Sequence, residues 1–249
     1  SGLAAVATRG ERHGVAWVVS GQKVWTPGAR TAEWGLAICR TDTTVAKHAG
    51  MTAFLIPPDA AGVTVRPITQ MSGGASFNEV FLDDVRLPDD LRLGPEGDGW
   101  KVALTTLSAE RAASNSLGGG TFEQMLGLAR AVDATAHPVH RQALADLYVH
   151  IKLDEWNVAR VTQALETGAP PGPEGSIGRL SATRNLTRAA EVASALLGPR
   201  LTADTGEWGT YVWNDHVLGA PGYRIAGGSD EIQHNIIGER VLGLPREPR

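Results

Sequence analysis

Up to about residue 95 the apolar positions come in short runs, some alternating with polar residues and some continuous: Ala16–Ser20, Trp34–Cys39, Thr52–Ile56, Val63–Val65 and Asn78–Leu82. Gly, Pro and Asp separate them, at Ser20-Gly21, Pro27-Gly28, Pro57-Pro58, Ala61-Gly62, Gly73-Gly74 and Asp83-Asp84. Period-two patterning broken by turn-formers predicts short strands. Arg9–Gly14 reads as a hairpin tip. After Gly94-Pro95 the spacing lengthens to three and four residues. Helices are predicted over Trp100–Ser114, Phe122–Val132, Val139–Glu166, Ile177–Leu197 and Asp230–Leu242, with a Gly/Pro loop at Gly168–Gly175. The expected fold class is α+β, with strands confined to the first part. A small β-sheet or barrel-like domain over 1–95 precedes a C-terminal helical domain over 96–249, built as a four-helix bundle.

Composition narrows the function classes. The chain has 249 residues, 42% of them hydrophobic, with mean hydropathy near zero, so it can bury a sizeable core and is not a disordered chain. Its single cysteine, Cys39, excludes an internal disulfide and a multi-cysteine metal site. Lack of disulfides fits a reducing compartment, and a cytoplasmic location is expected. The histidines, His137, His140 and His150 among them, are not spaced as a metal site, and no metal is expected. Net charge is −4, with no Lys/Arg-rich block, so nucleic acid is not an expected partner. No apolar run reaches the length of a membrane span.

Four motifs go beyond patterning. They are Val19–Ala29 (with Lys23-Val24-Trp25-Thr26-Pro27), Phe77–Pro88, Gly97-Asp98-Gly99-Trp100, and Gly227-Gly228-Ser229-Asp230-Glu231-Ile232-Gln233 running on to Pro245. In this order and spacing they resemble the acyl-CoA dehydrogenase family, and the match covers nearly the whole chain. Family members carry an N-terminal helical domain, a middle β domain and a C-terminal four-helix domain. The chain therefore looks like the last two of three domains.

The resemblance implies FAD as cofactor and an acyl-CoA thioester as substrate. It also implies an electron-transfer flavoprotein as acceptor, and assembly into homo- or hetero-oligomers, as dimers or tetramers. The reaction is α,β-desaturation: a carboxylate removes the α proton and hydride leaves the β carbon for flavin N5. The family uses two positions for that carboxylate. One, in the loop before the last helix, is Gly227 here. The other lies on the first helix of the C-terminal domain, before an arginine, and is Glu110, followed by Arg111. Glu110 is therefore the expected base. Trp25 and Thr26 match the positions beside the flavin ring, and Gly227, Gly228, Ser229 and Glu231 match further cofactor contacts. Ser1, Ser108 and Arg111 match positions that contact the CoA thioester. A glycine pair before a helix could present N–H groups to a phosphate.

Several positions depart from the family. Pro27 stands where a Ser or Thr is usual. The region 133–139 lacks the Arg and Phe of the adenine-end motif, and Ala195–Leu201 keeps only one glycine of another. These departures favour an alternative: a non-catalytic or FAD-sharing chain of a hetero-oligomeric dehydrogenase. A flavin oxygenase or oxidase on the same fold is a further alternative.

Overall fold

The computed structural model describes residues 2–113, 121–168, 172–203, 206–207 and 209–246, with the side chains of 108–113 outside the described set. The chain forms two compact units, Ser1–Ser108 and Ala109–Arg249.

In the first unit seven strands make one mixed sheet: β1 (Arg9–His13), β2 (Ala16–Pro27), β3 (Gly35–Arg40), β4 (Met51–Ile56), β5 (Val63–Ile68), β6 (Phe77–Pro88) and β7 (Arg92–Leu93). The order is β5-β6-β2-β1-β3-β4-β7, antiparallel throughout except where β1 meets β3. The segment read as a hairpin tip, Arg9–Gly14, is mostly strand β1. The reversal itself is the Gly14-Val15 turn, which brings His13 opposite Ala16 and uses a left-handed Gly14, φ +64°. The strand was hidden because its residues are charged and almost all exposed, leaving no apolar alternation to see. β2 runs seven residues beyond the apolar stretch that predicts it, through a polar segment, because its full length pairs with β6.

Period-two alternation explains the core. Ala37 and Cys39 of β3 face one way, with Trp17, Val19, Phe54, Ile56, Leu82, Val85 and Leu87. Ile38 faces the other way, with Met51, Ala53 and Ala103. β4 is thus buried on both faces, which is why it reads as a near-continuous apolar run. Its second face is covered by the first turns of helix α1 (Gly99–Ala113), through Trp100, Val102 and Ala103. A Cβ at Gly99 would lie 2.8 Å from the Met51 backbone, so this helix start needs glycine to sit flush on the strand. Trp17 meets Phe54 at a tilt, with ring centroids 5.1 Å apart, and donates through Nε1 to Asp89 at 2.8 Å. Beyond Ser20, β2 loses β1 as a neighbour; there Lys23 Nζ reaches across and donates to the Ile38 carbonyl at 2.7 Å. Burial lowers the lysine pKa and raises that of Cys39 to about 11, so the thiol stays protonated.

The second unit holds α2 (Phe122–Ala131), α3 (Pro138–Glu166), α4 (Gly175–Leu197), α5 (Thr210–Tyr223) and α6 (Asp230–Ile236), the last continuing as a π-helical turn, Ile237–Val241. Thr121 and Gln124 form a capping box that starts α2. Pro138 opens α3 at a position where its missing N–H costs nothing. Helix α4 is the central element, packing Ala189, Val192, Ala193 and Leu196 against Met125, Leu128, Leu144, Leu147 and Trp213. Helix α5 is absent from the sequence-based expectation. Its apolar residues are scattered around the helix and it carries Gly219 and Pro221, so little periodicity signals it. Packing of Trp213 and His216 makes it a helix. No described helix is long and apolar enough to cross a membrane.

Candidate functional site

Trp25 sits where β2 slips against β6. The register shifts between Lys23 and Thr26, and Trp25 takes a left-handed backbone with φ +61°. That conformation costs an L residue about 1–2 kcal/mol. The indole is 59% exposed and meets only the edge of Phe77, at 6.0 Å between centroids. Trp25 therefore does not fill the core of the sheet. A left-handed backbone and an open aromatic face make Trp25 a candidate binding position. Thr26 is back in register opposite Asn78, whose Nδ2 donates to the Thr26 carbonyl at 3.0 Å. Asn78 is buried, and its Oδ1 has no hydrogen-bond partner among the described residues. Pro27 pairs with Phe77 and offers neither hydroxyl nor N–H.

In the helical unit, Gly227 and Gly228 both have positive φ, +68° and +101°. Beneath them lies Arg179 of α4, 9% exposed, donating through Nη2 to the carbonyls of Tyr223 (3.3 Å) and Ala226. A Cβ at Gly227 would stand 3.3 Å from that Nη2 and 3.4 Å from Cζ. Ser229 is the N-cap residue of α6 but makes no side-chain capping hydrogen bond; its hydroxyl donates to Glu231 instead, and together with the Glu231 amide it holds that carboxyl below its ordinary pKa. Asp230 is buried and committed: Arg224 Nε lies 2.7 Å from its Oδ2, and the Thr183 hydroxyl 3.3 Å from its Oδ1. The motifs leave out Arg179 and Arg224 and give Gln233 no role of its own. A charged residue on the apolar face of a helix, as at Gly178-Arg179-Leu180, was the available signal.

Ser229, Asp230, Glu231 and Arg224 line a cavity of about 630 Å³ with Glu191, Ser194 and the apolar Val217, Ala220 and Ile225. Three carboxylates face it against one guanidinium, itself paired with Asp230. An FAD fit therefore divides. The ring end suits the open Trp25 and its flanking backbone, and the glycine turn has amides to offer. The acidic cavity does not suit a pyrophosphate. Of the remaining expected residues, Ser108, Glu110 and Arg111 lie on α1, but their side chains, like Ser1, fall outside the described residues.

Comparison with known proteins accounts for both units. Residues 1–85 match the family model "Acyl-CoA dehydrogenase, middle domain", and residues 97–242 match "Acyl-CoA dehydrogenase, C-terminal domain". The chain belongs to the acyl-CoA dehydrogenase family. Over its full length this family member is 40% identical to the acyl-CoA dehydrogenase IpdE1 of Mycobacterium tuberculosis (strain ATCC 25618 / H37Rv), of which it spans 65%. Among solved structures, the Tcur3481-Tcur3483 steroid ACAD superimposes with a TM-score of 0.90 at 26% identity, over 98% of this chain and 65% of that one. The ChsE4-ChsE5 complex from Mycobacterium tuberculosis gives 0.83 at 25%, over 98% and 66%. The α+β architecture of this acyl-CoA dehydrogenase family chain is that of its relatives' middle and C-terminal domains.

Proposed function

We propose that the whole protein is an FAD-dependent acyl-CoA dehydrogenase whose base is Glu110. Family membership supports the reaction class. One observation carries the choice of base: no carboxylate at the start of α6 is free for the task. Gly227 has none, Asp230 is held by Arg224 and Thr183, and Glu231 is kept ionised by its hydrogen bonds, which makes it a weak proton acceptor. Glu110 on α1 is the position left. In this reading Arg111 steadies the thioester or CoA, joined by Ser108 and Ser1, and Trp25 with Thr26 flanks the flavin ring. FAD bound there would supply the hydride acceptor, with an electron-transfer flavoprotein as the partner that reoxidises it. Likeness to a steroid ACAD supports a bulky steroid-derived acyl-CoA as substrate rather than a short straight chain.

A second reading has specific support. The cavity beside α6 is acidic and a poor seat for a pyrophosphate, and a similar structure is a complex of two different chains. In that case FAD is shared with, or completed by, a partner subunit.

Anaerobic titration of the purified full-length protein with steroid-derived and straight-chain acyl-CoAs tests the proposal. Bleaching of the oxidised flavin spectrum by the steroid-derived thioester is the expected result. Flavin present without bleaching by any acyl-CoA would overturn it. Flavin retained only when a second chain is co-purified would select the second reading.

A further inference from the structure

Residues 224–229 join α5 to α6, and the turn is held from below. Arg179 Nη2 draws in the carbonyls of Tyr223 and Ala226. Gln233 of α6, 1% exposed, draws in those of Gly227 and Gly228 through Nε2, at 3.2 and 3.1 Å. In a trans peptide the C=O and the following N–H point in opposite directions, and the described chain has no cis bond. Inward carbonyls at Ala226, Gly227 and Gly228 therefore turn the N–H groups of Gly227, Gly228 and Ser229 outward. None of the three finds an acceptor among the described residues. Successive outward amides with positive φ form a concavity suited to an acceptor oxygen.

We propose that Arg179 and Gln233 are positioning residues: they clamp the turn from its buried side and so aim the 227–229 amides at an oxygen of the bound ligand. Arg179 does this while also occupying the space a side chain at 227 would need. The use of the amides rests on the dehydrogenase reading; the clamp rests on geometry alone. Both clamps are needed, because each holds a different part of the turn. Arg179 secures its entry at Tyr223 and Ala226, and Gln233 secures the two glycines, which have the widest backbone freedom.

The test uses Arg179→Met, Arg179→Lys and Gln233→Leu in the full-length protein. Hydrogen exchange is read at Ala226 and Asp230, whose amides donate to the carbonyls of Gly222 and Arg224 across this turn. Losing a hydrogen bond from a charged donor should speed exchange there by about tenfold or more, with α3 amides unchanged. Misplacing the amides should lower kcat by about 10²-fold. A loss of flavin content would place the ligand oxygen on the cofactor; a loss of kcat with flavin retained would place it on the thioester. Arg179→Lys, which keeps the charge and a donor, should recover part of the loss. Should Arg179→Met fail to fold, the lysine and Gln233 variants carry the same comparison. Exchange, flavin content and kcat all within about twofold of wild type would overturn the proposal. If wild type itself turns over no acyl-CoA, the dehydrogenase reading falls, and the exchange comparison alone decides the clamp.

Discussion

Glu110 is the residue on which the proposed chemistry turns. Glu110→Gln keeps size and hydrogen bonding but removes the proton-accepting group. Loss of a general base costs about 10²–10⁴-fold in rate. Acyl-CoA KM and flavin content should move little, since Arg111 and the flavin contacts are unchanged, so steady-state kinetics should show the loss in kcat. The partner position invites a stricter test. In some relatives the loop carries the base, so a glutamate at Gly227 in the Glu110→Gln background is the natural rescue to try. Here Gly227 has φ +68° and Arg179 lies 3.3 Å from where its Cβ would stand. A carboxylate placed there meets a guanidinium and pairs with it, instead of facing a substrate carbon. The double variant should stay as inactive as Glu110→Gln, within about twofold. Recovery of dehydrogenase activity would show that the turn opens enough to free the new carboxylate.

At the scale of elements, two packed seams can be tested by stability. Phe54 of β4 is fully buried against Trp17. Phe54→Ala should cost about 3–5 kcal/mol, seen as a lower denaturation midpoint. The α4–α5 seam contains a pH-sensitive contact. His216 of α5 is buried, its Nε2 lies 3.1 Å from the Leu186 carbonyl, and burial pushes its pKa below the ordinary 6.5. A carbonyl only accepts, so the neutral ring donates through Nε2–H. Near pH 6.5 the unfolded chain takes up a proton that the folded chain still refuses. The unfolded state thus binds more protons below that pH, and stability falls as pH drops through the window beneath 6.5. Thermal melts at about pH 7.5 and about pH 5.5 should show the lower Tm in acid, and His216→Gln should flatten that difference.

At the scale of the whole molecule, helix α3 shows two apolar faces. Leu144 and Leu147 are buried against α4, whereas Val149, Leu153 and Trp156 recur at i, i+4, i+7 and stay open, Trp156 at 67%. A 29-residue helix with an unmatched apolar stripe fits an oligomeric protein. The full-length protein should sediment as a dimer or tetramer at micromolar concentration. Trp156→Glu should weaken that assembly by at least about tenfold in Kd, because aromatic anchors dominate interface energies. Sedimentation of wild type as a monomer would count against this face as a subunit contact.

The division into a strand-rich and a helix-rich part is legible before any fold, since periods of two and of three to four are local properties of a chain. The family is legible too, because Val19–Ala29 and Gly227–Gln233 stand in linear order. Other features were decided only in three dimensions. The charged strand β1 and the polar end of β2 are strands because neighbours complete their hydrogen bonds, which no local pattern reports. Helix α5, with its dispersed apolar residues, is a helix because α4 gives Trp213 and His216 somewhere to pack. Trp25 stands open to solvent rather than in the core because of a register slip that depends on β6. Arg179 lies 48 positions before Gly227 along the chain; its place under the turn is set by how α4 and α5 cross, and only that packing determines which way the glycine amides point.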